Sequence, residues 1–318
     1  MGDGLEPRFA VIAIGGNAIV LEGQKGTIQE QFTNCEEFLN PIAVLVSKGW
    51  KIVMTHGNGP QVGSALLRVA LSRKETYPLP LDICVADTQG GMGYMFQNVL
   101  RKLLHRLNKD IPVVSVVTQI VVDPKDPAFQ NPSKPIGPFY TKEQIEVHQK
   151  QDGWAIGQDE KGRWRRLVSS PIPEEILETD AIKLLVKDGV LVIACGGGGV
   201  PVMKAAEGYQ GVEAVVDKDL ASGLLAAKIS ADTLIITTGE DQVALHYRKK
   251  DQTYLNHLSL AEAEEYLREG EFPRGSMGPK IQAAITFLKR GGKEALITTP
   301  EHLLDALQGK TGTRITLS

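Results

Sequence analysis

Short apolar runs rich in Val and Ile alternate along the chain with longer segments of helical periodicity. Each run is apolar at consecutive positions, which is typical of strands that are buried on both faces of a parallel sheet covered by helices. The alternation predicts an α/β fold, a three-layer sandwich with a mostly parallel central sheet. The predicted strands are Phe9–Ile14, Lys51–Thr55, Pro112–Val117, Val190–Ala194, Thr233–Thr237 and Ala295–Thr298. The predicted helices are Thr27–Lys48, Cys84–Leu107, Asp180–Lys187, Leu220–Ile229 and Lys280–Arg290.

One segment, Asp123 to Pro173, departs from this alternation. It contains seven prolines and two tryptophans but few regular apolar periods. A long segment without a pattern inside a compact domain is usually functional or disordered, and the aromatic residues argue against disorder. We therefore predict a single domain over residues 1–318. Within it, residues from about 123 to 173 form an inserted lobe that projects from the sandwich.

Composition and charge narrow the range of partners. The 318 residues are 42% hydrophobic and 23% charged, and 35 basic against 38 acidic residues leave a net charge of -3. A weakly acidic chain does not favour nucleic acid or an anionic membrane as a partner. Three scattered cysteines predict neither a disulfide framework nor a zinc site. With no signal peptide and no apolar stretch of membrane-spanning length, we expect a cytoplasmic protein.

Glycine-rich turns follow three of the predicted strands. Gly15-Gly16-Asn17 follows the first strand, Gly57-Asn58-Gly59 follows the second, and four consecutive glycines, Gly196 to Gly199, follow a later one. Such turns allow backbone N–H groups to converge on an anion, although each alone is also explained as a tight turn that needs glycine. Because ligands bind beyond the carboxyl ends of parallel strands, the repetition favours a phosphate-binding edge of the sheet.

Three lysines stand out by their position. Lys218 and Lys280 lie at predicted helix starts, where the helix dipole disfavours a cation, and Lys134 lies between two prolines. Each lysine alone is explained as a solvated surface residue. Asp217 is a plausible N-cap for the helix that contains Lys218. Together, the lysines and the glycine turns indicate a site where an anionic ligand compensates the positive charge.

The combination of these motifs resembles the carbamate kinases of the amino acid kinase family. The resemblance runs from about Phe9 to the C-terminus and rests on GGNA, HGNGPQVG, KPIGPFY, GGGG followed by PV, EAVVDKD followed by LAS, and GSMGPK, in that order. It implies the amino acid kinase fold, a lobe that acts as a lid, and a homodimer. It also implies reversible phosphoryl transfer between ATP and carbamate, giving ADP and carbamoyl phosphate. Members of the family often run this reaction toward ATP synthesis in arginine fermentation.

The resemblance also assigns roles to residues. The N-terminal part would bind carbamate and the phosphoryl group, and the part from about residue 190 to 318 would bind the nucleotide. Mg²⁺ would be carried by the nucleotide, without a metal site in the protein. The implied catalytic residues are Lys134, Lys218, Asp219 and Lys280. The implied residues for carbamate and phosphoryl binding are Gly15, Gly16, Asn17, Gly57, Asn58 and Gly59. The implied nucleotide-binding residues are Gly197, Gly198, Thr238, Gly239, Tyr247, Met277 and Gly278.

Two alternatives remain open from the sequence. The first is another phosphotransferase of the amino acid kinase family with a different acceptor, against which the KPIGPFY stretch argues. The second is a nucleotide-binding regulatory protein without turnover. A panel of acceptors tests the first alternative, and formation of ATP from ADP and carbamoyl phosphate tests the second.

Overall fold

A computed structural model describes residues 5–21, 23–158, 162–273 and 275–318. The strands in these ranges are β1 Phe9–Ile14, β2 Lys51–His56, β3 Val113–Ser115, β4 Gln119–Val122, β5 Lys134–Tyr140, β6 Ala155–Gln158, β7 Trp164–Val168, β8 Pro173–Ile176, β9 Leu191–Ile193, β10 Val200–Ala205, β11 Gly208–Gly211, β12 Thr233–Thr237, β13 Val243–Leu245, β14 Thr253–Leu255, β15 His257–Ser259, β16 Glu294–Thr298 and β17 Thr313–Thr316. The α-helices are α1 Ile28–Ser47, α2 Gly59–Ser72, α3 Leu81–Arg106, α4 Lys142–Asp152, α5 Thr179–Lys187, α6 Lys218–Lys228, α7 Leu260–Glu269, α8 Met277–Lys289 and α9 Leu303–Leu307.

The central sheet has eight strands in the order β15-β17-β16-β12-β1-β2-β9-β3. Its strand pairs are parallel apart from β16 with β17. Successive residues of β1 point to opposite faces: Val11 and Ala13 pack into a core with α6 and α8, whereas Ile12 and Ile14 pack into a core with α1 and α3. The sheet therefore has a buried apolar layer on each face, and the predicted three-layer arrangement is confirmed.

Two smaller sheets border or lie within the segment 123–173, which departs from the sequence pattern. β4 and β8, which border it, belong to a four-stranded sheet of order β11-β10-β4-β8. Between them, β5, β7 and β6 form an antiparallel sheet against which α4 packs. These three strands and α4, residues 134–168, form the centre of the predicted lobe of about residues 123–173. The lobe contains more regular structure than its apolar pattern predicts.

The predicted strands and helices all occur, with shifts of a few residues at their ends. The largest change is in the run Pro112–Val117, of which only Val113–Ser115 is strand. Four helices, α2, α4, α7 and α9, are not among the five predicted helices. Of these, α4 and α7 each begin with a capping box, Thr141 with Gln144 and Ser259 with Glu262, which is a sequence signal for a helix start. No helix in the described ranges is both long and apolar enough to cross a bilayer.

Candidate active site

A cleft of about 550 Å³ lies beyond the carboxyl ends of β1, β2, β12 and β16. This is the edge of a parallel sheet at which ligands bind. Its wall is formed by the turns after these strands, the start of α6, the N-terminal turns of α8, and β5 of the lobe. The predicted site residues that line it are Gly15, Gly16, Gly57, Asn58, Gly59, Lys134, Gly197, Lys218, Asp219, Thr238, Gly239 and Lys280.

The glycine turns after β1 and β2 lie against each other. The two strands are parallel neighbours, with Ile14 opposite His56, so their turns meet at the same edge. A Cβ atom on Gly57 would lie 3.0 Å from the backbone nitrogen of Gly16. Any larger residue at position 57 would therefore push on the backbone of the first turn. α2 begins at Gly59, so the positive end of its dipole faces the cleft.

Lys218 and Lys280 share one carboxylate. The Nζ atom of Lys280 donates to Oδ2 of Asp219 at 2.7 Å, and Lys218 donates to Oδ1 of the same side chain. The three side chains are almost entirely buried, with exposed fractions of 13% for Lys218, 11% for Lys280 and 5% for Asp219. α6 and α8 pack directly on each other and so fix the distance between the two lysines. The ammonium groups therefore have a defined place in the cleft.

The third lysine comes from the lobe and is held by a residue that sequence reasoning treated only as a helix cap. Asp217 is the N-cap of α6, as predicted, since its Oδ1 atom accepts from the backbone N–H of Asp219 at 2.9 Å. Its Oδ2 atom accepts from Nζ of Lys134 at 2.7 Å. The pair spans 83 positions of the chain, a contact that no local pattern indicates.

Burial and charge compete in this cluster. Burial by itself would raise the pKa of Asp219, but the ammonium groups of Lys218 and Lys280 hold it at about 2. Burial lowers the pKa of Lys218, and the positive charge of Lys280 adds to this, while the Asp219 carboxylate opposes both. Asp219 is therefore ionised at neutral pH. Three ammonium groups and two carboxylates leave one net positive charge, which favours an anionic ligand.

A histidine at the end of β2 lies beneath the cluster. His56 is buried and packs edge-on against Phe96 with ring centroids 4.9 Å apart. Burial lowers its pKa to about 4, although its contact with the Gly57 carbonyl oxygen acts in the opposite direction. The imidazole is thus neutral at physiological pH and adds no further positive charge.

The tetraglycine turn is explained mainly by packing. A Cβ atom on Gly198 would lie 2.2 Å from the carbonyl oxygen of Val216, and one on Gly199 would lie 2.2 Å from the Ile120 side chain. Gly197, with φ +66°, lines the cleft beside Asn58. The turn therefore lets the backbone lie close to the segment before α6, and one of its glycines faces the ligand space.

Some predicted nucleotide-binding residues are not among those that line the cleft, namely Gly198, Tyr247, Met277 and Gly278. The hydroxyl of Tyr247 donates to Glu240 at 2.6 Å, and Met277 packs at the border of a hydrophobic core. The side chain of Asn17 lies outside the described part of the chain.

Sequence reasoning also missed residues that the cleft contains. Thr299, Pro300 and Glu301 line it directly after β16. The rule that ligands lie beyond strand ends applied to the predicted strand Ala295–Thr298 as well, so this turn was predictable from the sequence.

The carboxylates of the cluster are engaged by hydrogen-bond donors of the protein. Both oxygens of Asp217 and both oxygens of Asp219 already accept hydrogen bonds from protein donors. Among the described residues, no group of three or more His, Cys, Asp or Glu side chains is placed to hold a metal ion. Mg²⁺ is usually bound in proteins through one or two carboxylates together with substrate phosphates.

Comparison with known proteins identifies the family. The model of the amino acid kinase family matches residues 8–299. The chain therefore belongs to the amino acid kinase family.

Within this family, the chain is similar to carbamate kinases. It is 46% identical to the carbamate kinase of Pyrococcus horikoshii, over 98% of this chain and 99% of that protein. It is also 46% identical to the carbamate kinase-like protein YahI of Escherichia coli, over 97% of this chain and 98% of that protein. The structure of the Giardia lamblia carbamate kinase bound to AMP-PNP superposes with a TM-score of 0.91 at 39% identity, covering 98% of this chain and 99% of that chain. The resemblance drawn from the motifs is confirmed.

Proposed function

We propose that the protein is a carbamate kinase, which transfers a phosphoryl group reversibly between ATP and carbamate. The observation that carries the proposal is the convergence of Lys134, Lys218 and Lys280 on two aspartates at the phosphate-binding edge of the sheet. The lysines come from the lobe and from two helices, so they surround the cleft from different sides. Phosphoryl transfer needs mainly in-line positioning and positive charge around the migrating group, which this arrangement supplies.

In the direction of ATP synthesis, an oxygen of the β-phosphate of ADP attacks the phosphorus of carbamoyl phosphate. The bond from phosphorus to the carbamate oxygen breaks, and carbamate leaves as an anion. Because the attacking oxygen is already ionised at neutral pH, the step needs no general base. This agrees with a site in which the carboxylates of Asp217 and Asp219 are both engaged by lysines.

The chain's own groups have distinct tasks in this step. The turns at Gly15-Gly16 and at Gly57 bring backbone N–H groups toward the phosphoryl and carbamate oxygens, without a cost of reorganisation. Lys218 and Lys280 are compact point charges at a defined place in the cleft, where they can stabilise the charge of the phosphoryl group during transfer. Asp219 orients both of them. The turns containing Thr238 and Gly239 and the residues after β16 line the rest of the cleft, where we place the nucleotide.

Mg²⁺ carried by the nucleotide would neutralise charge on the phosphate oxygens. The lobe would act as a lid, because it supplies Lys134 to a cleft formed otherwise by the sandwich. Carbamate is small and offers little binding energy, so exclusion of water by a closing lid has an evident purpose. The homodimer and the cytoplasmic location expected from the sequence remain predictions. The three unpaired, buried cysteines are compatible with a reducing compartment.

Formation of ATP from ADP and carbamoyl phosphate tests the proposal. Purified protein is incubated with both substrates and Mg²⁺, and ATP is measured in a coupled assay against a reaction without enzyme. We expect enzyme-dependent ATP and no phosphorylation when acetylglutamate, glutamate, aspartate or a nucleoside monophosphate replaces carbamate in the reverse reaction. Folded protein that binds ATP but forms none would favour a regulatory role, and turnover with another acceptor would favour a different enzyme of the family.

A further inference from the structure

We infer that Asp217 is a positioning residue that holds the lobe lysine, Lys134, in the cleft. This inference rests on the proposed function and extends it to a residue outside the set that the motifs assign. Asp217 does not need to touch a substrate for this role. It acts through Lys134, whose Nζ atom it binds at 2.7 Å.

The geometry divides the carboxylate between two tasks. Oδ1 accepts the backbone N–H of Asp219 and thereby fixes the first turn of α6, on which Lys218 and Asp219 stand. Oδ2 binds Lys134. The side chain of Asp217 is 12% exposed and that of Lys134 is 37% exposed, so the pair is shielded on the side of the aspartate and open on the side of the lysine. Lys134 also lines the cleft, so its side chain faces the space for an incoming phosphate while Asp217 holds it.

The lobe also contacts, at two further points, the segment 213–217, which contains Asp217 and precedes α6. The Arg166 guanidinium donates to Glu213 at 2.9 Å, and the backbone N–H of Val215 donates to the carbonyl oxygen of Ser169 at 3.0 Å. Together with the pair formed by Asp217, alternate residues of the segment 213–217 contact the lobe or its end. The segment leads directly into α6. The position of the lobe is thus coupled to the helix that carries Lys218.

A purely structural role for Asp217 makes a different prediction. If it were only an N-cap, asparagine would replace it, since Asn and Asp cap helices about equally well. The Asp217→Asn variant would, however, lose the charge that holds Lys134. It would also have a higher net positive charge in the cluster, so attraction of an anionic substrate would not decrease. A positioning role therefore predicts a lower kcat with an unchanged or lower KM for carbamoyl phosphate.

The experiment compares Asp217→Asn, Lys134→Met and the double variant in the ATP-forming assay. We expect Asp217→Asn to lower kcat roughly 10-fold to 100-fold, the range that misplacement of a reacting group produces. The double variant should lose no more than Lys134→Met alone, because both changes remove the same interaction. Asp126→Asn is the matched control. Within the described part of the chain, its two oxygens accept the backbone N–H groups of Ala128 and Ile172 and bind no lysine, and we expect unchanged kinetics.

Hydrogen exchange of residues 134–168 gives a readout that does not depend on turnover. Without substrates, Asp217→Asn should exchange faster in the lobe than the unaltered protein, and Asp126→Asn should not. Unchanged kcat together with unchanged lobe exchange in Asp217→Asn would overturn the inference, as would losses that add up in the double variant. If the unaltered protein formed no ATP, the proposed function would fail, and the exchange experiment would still decide whether Asp217 holds the lobe.

Discussion

Replacement of Asp219 by asparagine is the sharpest test of how the cluster is built. The change removes one negative charge and keeps nearly the same shape. It leaves the buried ammonium groups of Lys218 and Lys280, which both bind this carboxylate, without the negative charge that they share. Both the stability and the activity of the protein should therefore suffer, for the same electrostatic reason.

The structure gives the size of the effect on stability. The folded protein holds the pKa of Asp219 at about 2 against an ordinary value of 3.8, a difference that corresponds to about 2 kcal/mol of stability. Leaving buried charges without their partner typically costs about 3–5 kcal/mol, and we expect at least the lower end of this range because two lysines lose the carboxylate. For 318 residues, a loss of about 3 kcal/mol lowers Tm by roughly 4–5 °C.

The pH dependence has a definite sign. Because folding lowers the pKa of Asp219, its contribution is fully present above the unfolded value of 3.8 and is lost as the pH falls toward 2. Between pH 5 and 8 Asp219 is ionised in both the folded and the unfolded protein, so its own titration adds no pH dependence to the difference in Tm between Asp219→Asn and the unaltered protein. Activity should fall by about 10²-fold or more, because the lysines are no longer oriented toward the phosphoryl group.

Thermal melting and the ATP-forming assay measure both effects. Asp232→Asn is the control: this aspartate also binds a lysine, Lys293, and accepts the backbone N–H of Phe9 with its other oxygen, but the lysine side chain is 76% exposed. A surface pair of this kind contributes about 1 kcal/mol or less. The double change Asp219→Asn with Lys280→Met should recover part of the stability without recovering activity. A loss of Tm no larger than that of Asp232→Asn, or full activity, would refute the reasoning.

Three further predictions concern other residues of the site. Lys280→Ala should lower kcat by about 10²-fold or more with little change in Tm, because one buried lysine remains paired with the carboxylate. Lys280→Arg should restore little activity, since the guanidinium is planar and differently aimed. Full activity in Lys280→Ala would remove Lys280 from the catalytic residues. Folding lowers the pKa of His56 to about 4, so the histidine contributes stability above its unfolded pKa of 6.5, and this contribution decreases as the pH falls below that value. Measured by urea unfolding between pH 7 and 5, the free energy of unfolding should therefore fall by about 2 kcal/mol less in His56→Asn than in the unaltered protein. Equal losses in the two proteins would contradict the burial argument. Gly57→Ala should destabilise the protein by about 1–3 kcal/mol, because the new Cβ atom would meet the backbone of Gly16. The control is Gly90→Ala in α3, where a Cβ atom meets nothing within 4 Å, and this variant should be neutral or stabilising. Equal melting temperatures of the two variants would show that the turn can adjust.

The sequence by itself determined much of the fold. β1 and β12 occur with the predicted boundaries, and a run of consecutive apolar residues such as Phe9–Ile14 is typical of a strand buried on both faces of a covered sheet. The lobe was predicted by its departure from this pattern, but its internal structure was not. The helix α4 has an almost wholly polar sequence and buries only Ile145 within the described part, so apolar periodicity could not reveal it. Its capping box was the available signal.

The glycine turns and the three lysines were also indicated by the sequence. Each alone has an ordinary explanation, as a tight turn or a solvated surface residue, and their combination favoured a site for an anionic ligand. Tertiary structure alone decided how they are combined. Lys280 reaches Asp219 across 61 positions, and Lys134 reaches Asp217 across 83. It likewise decided that Gly198 and Gly199 serve packing while Gly197 faces the cleft. Local patterns record what each residue requires of its neighbours in the chain, whereas the partner of a buried charge is set by how helices and strands that are distant in sequence pack together.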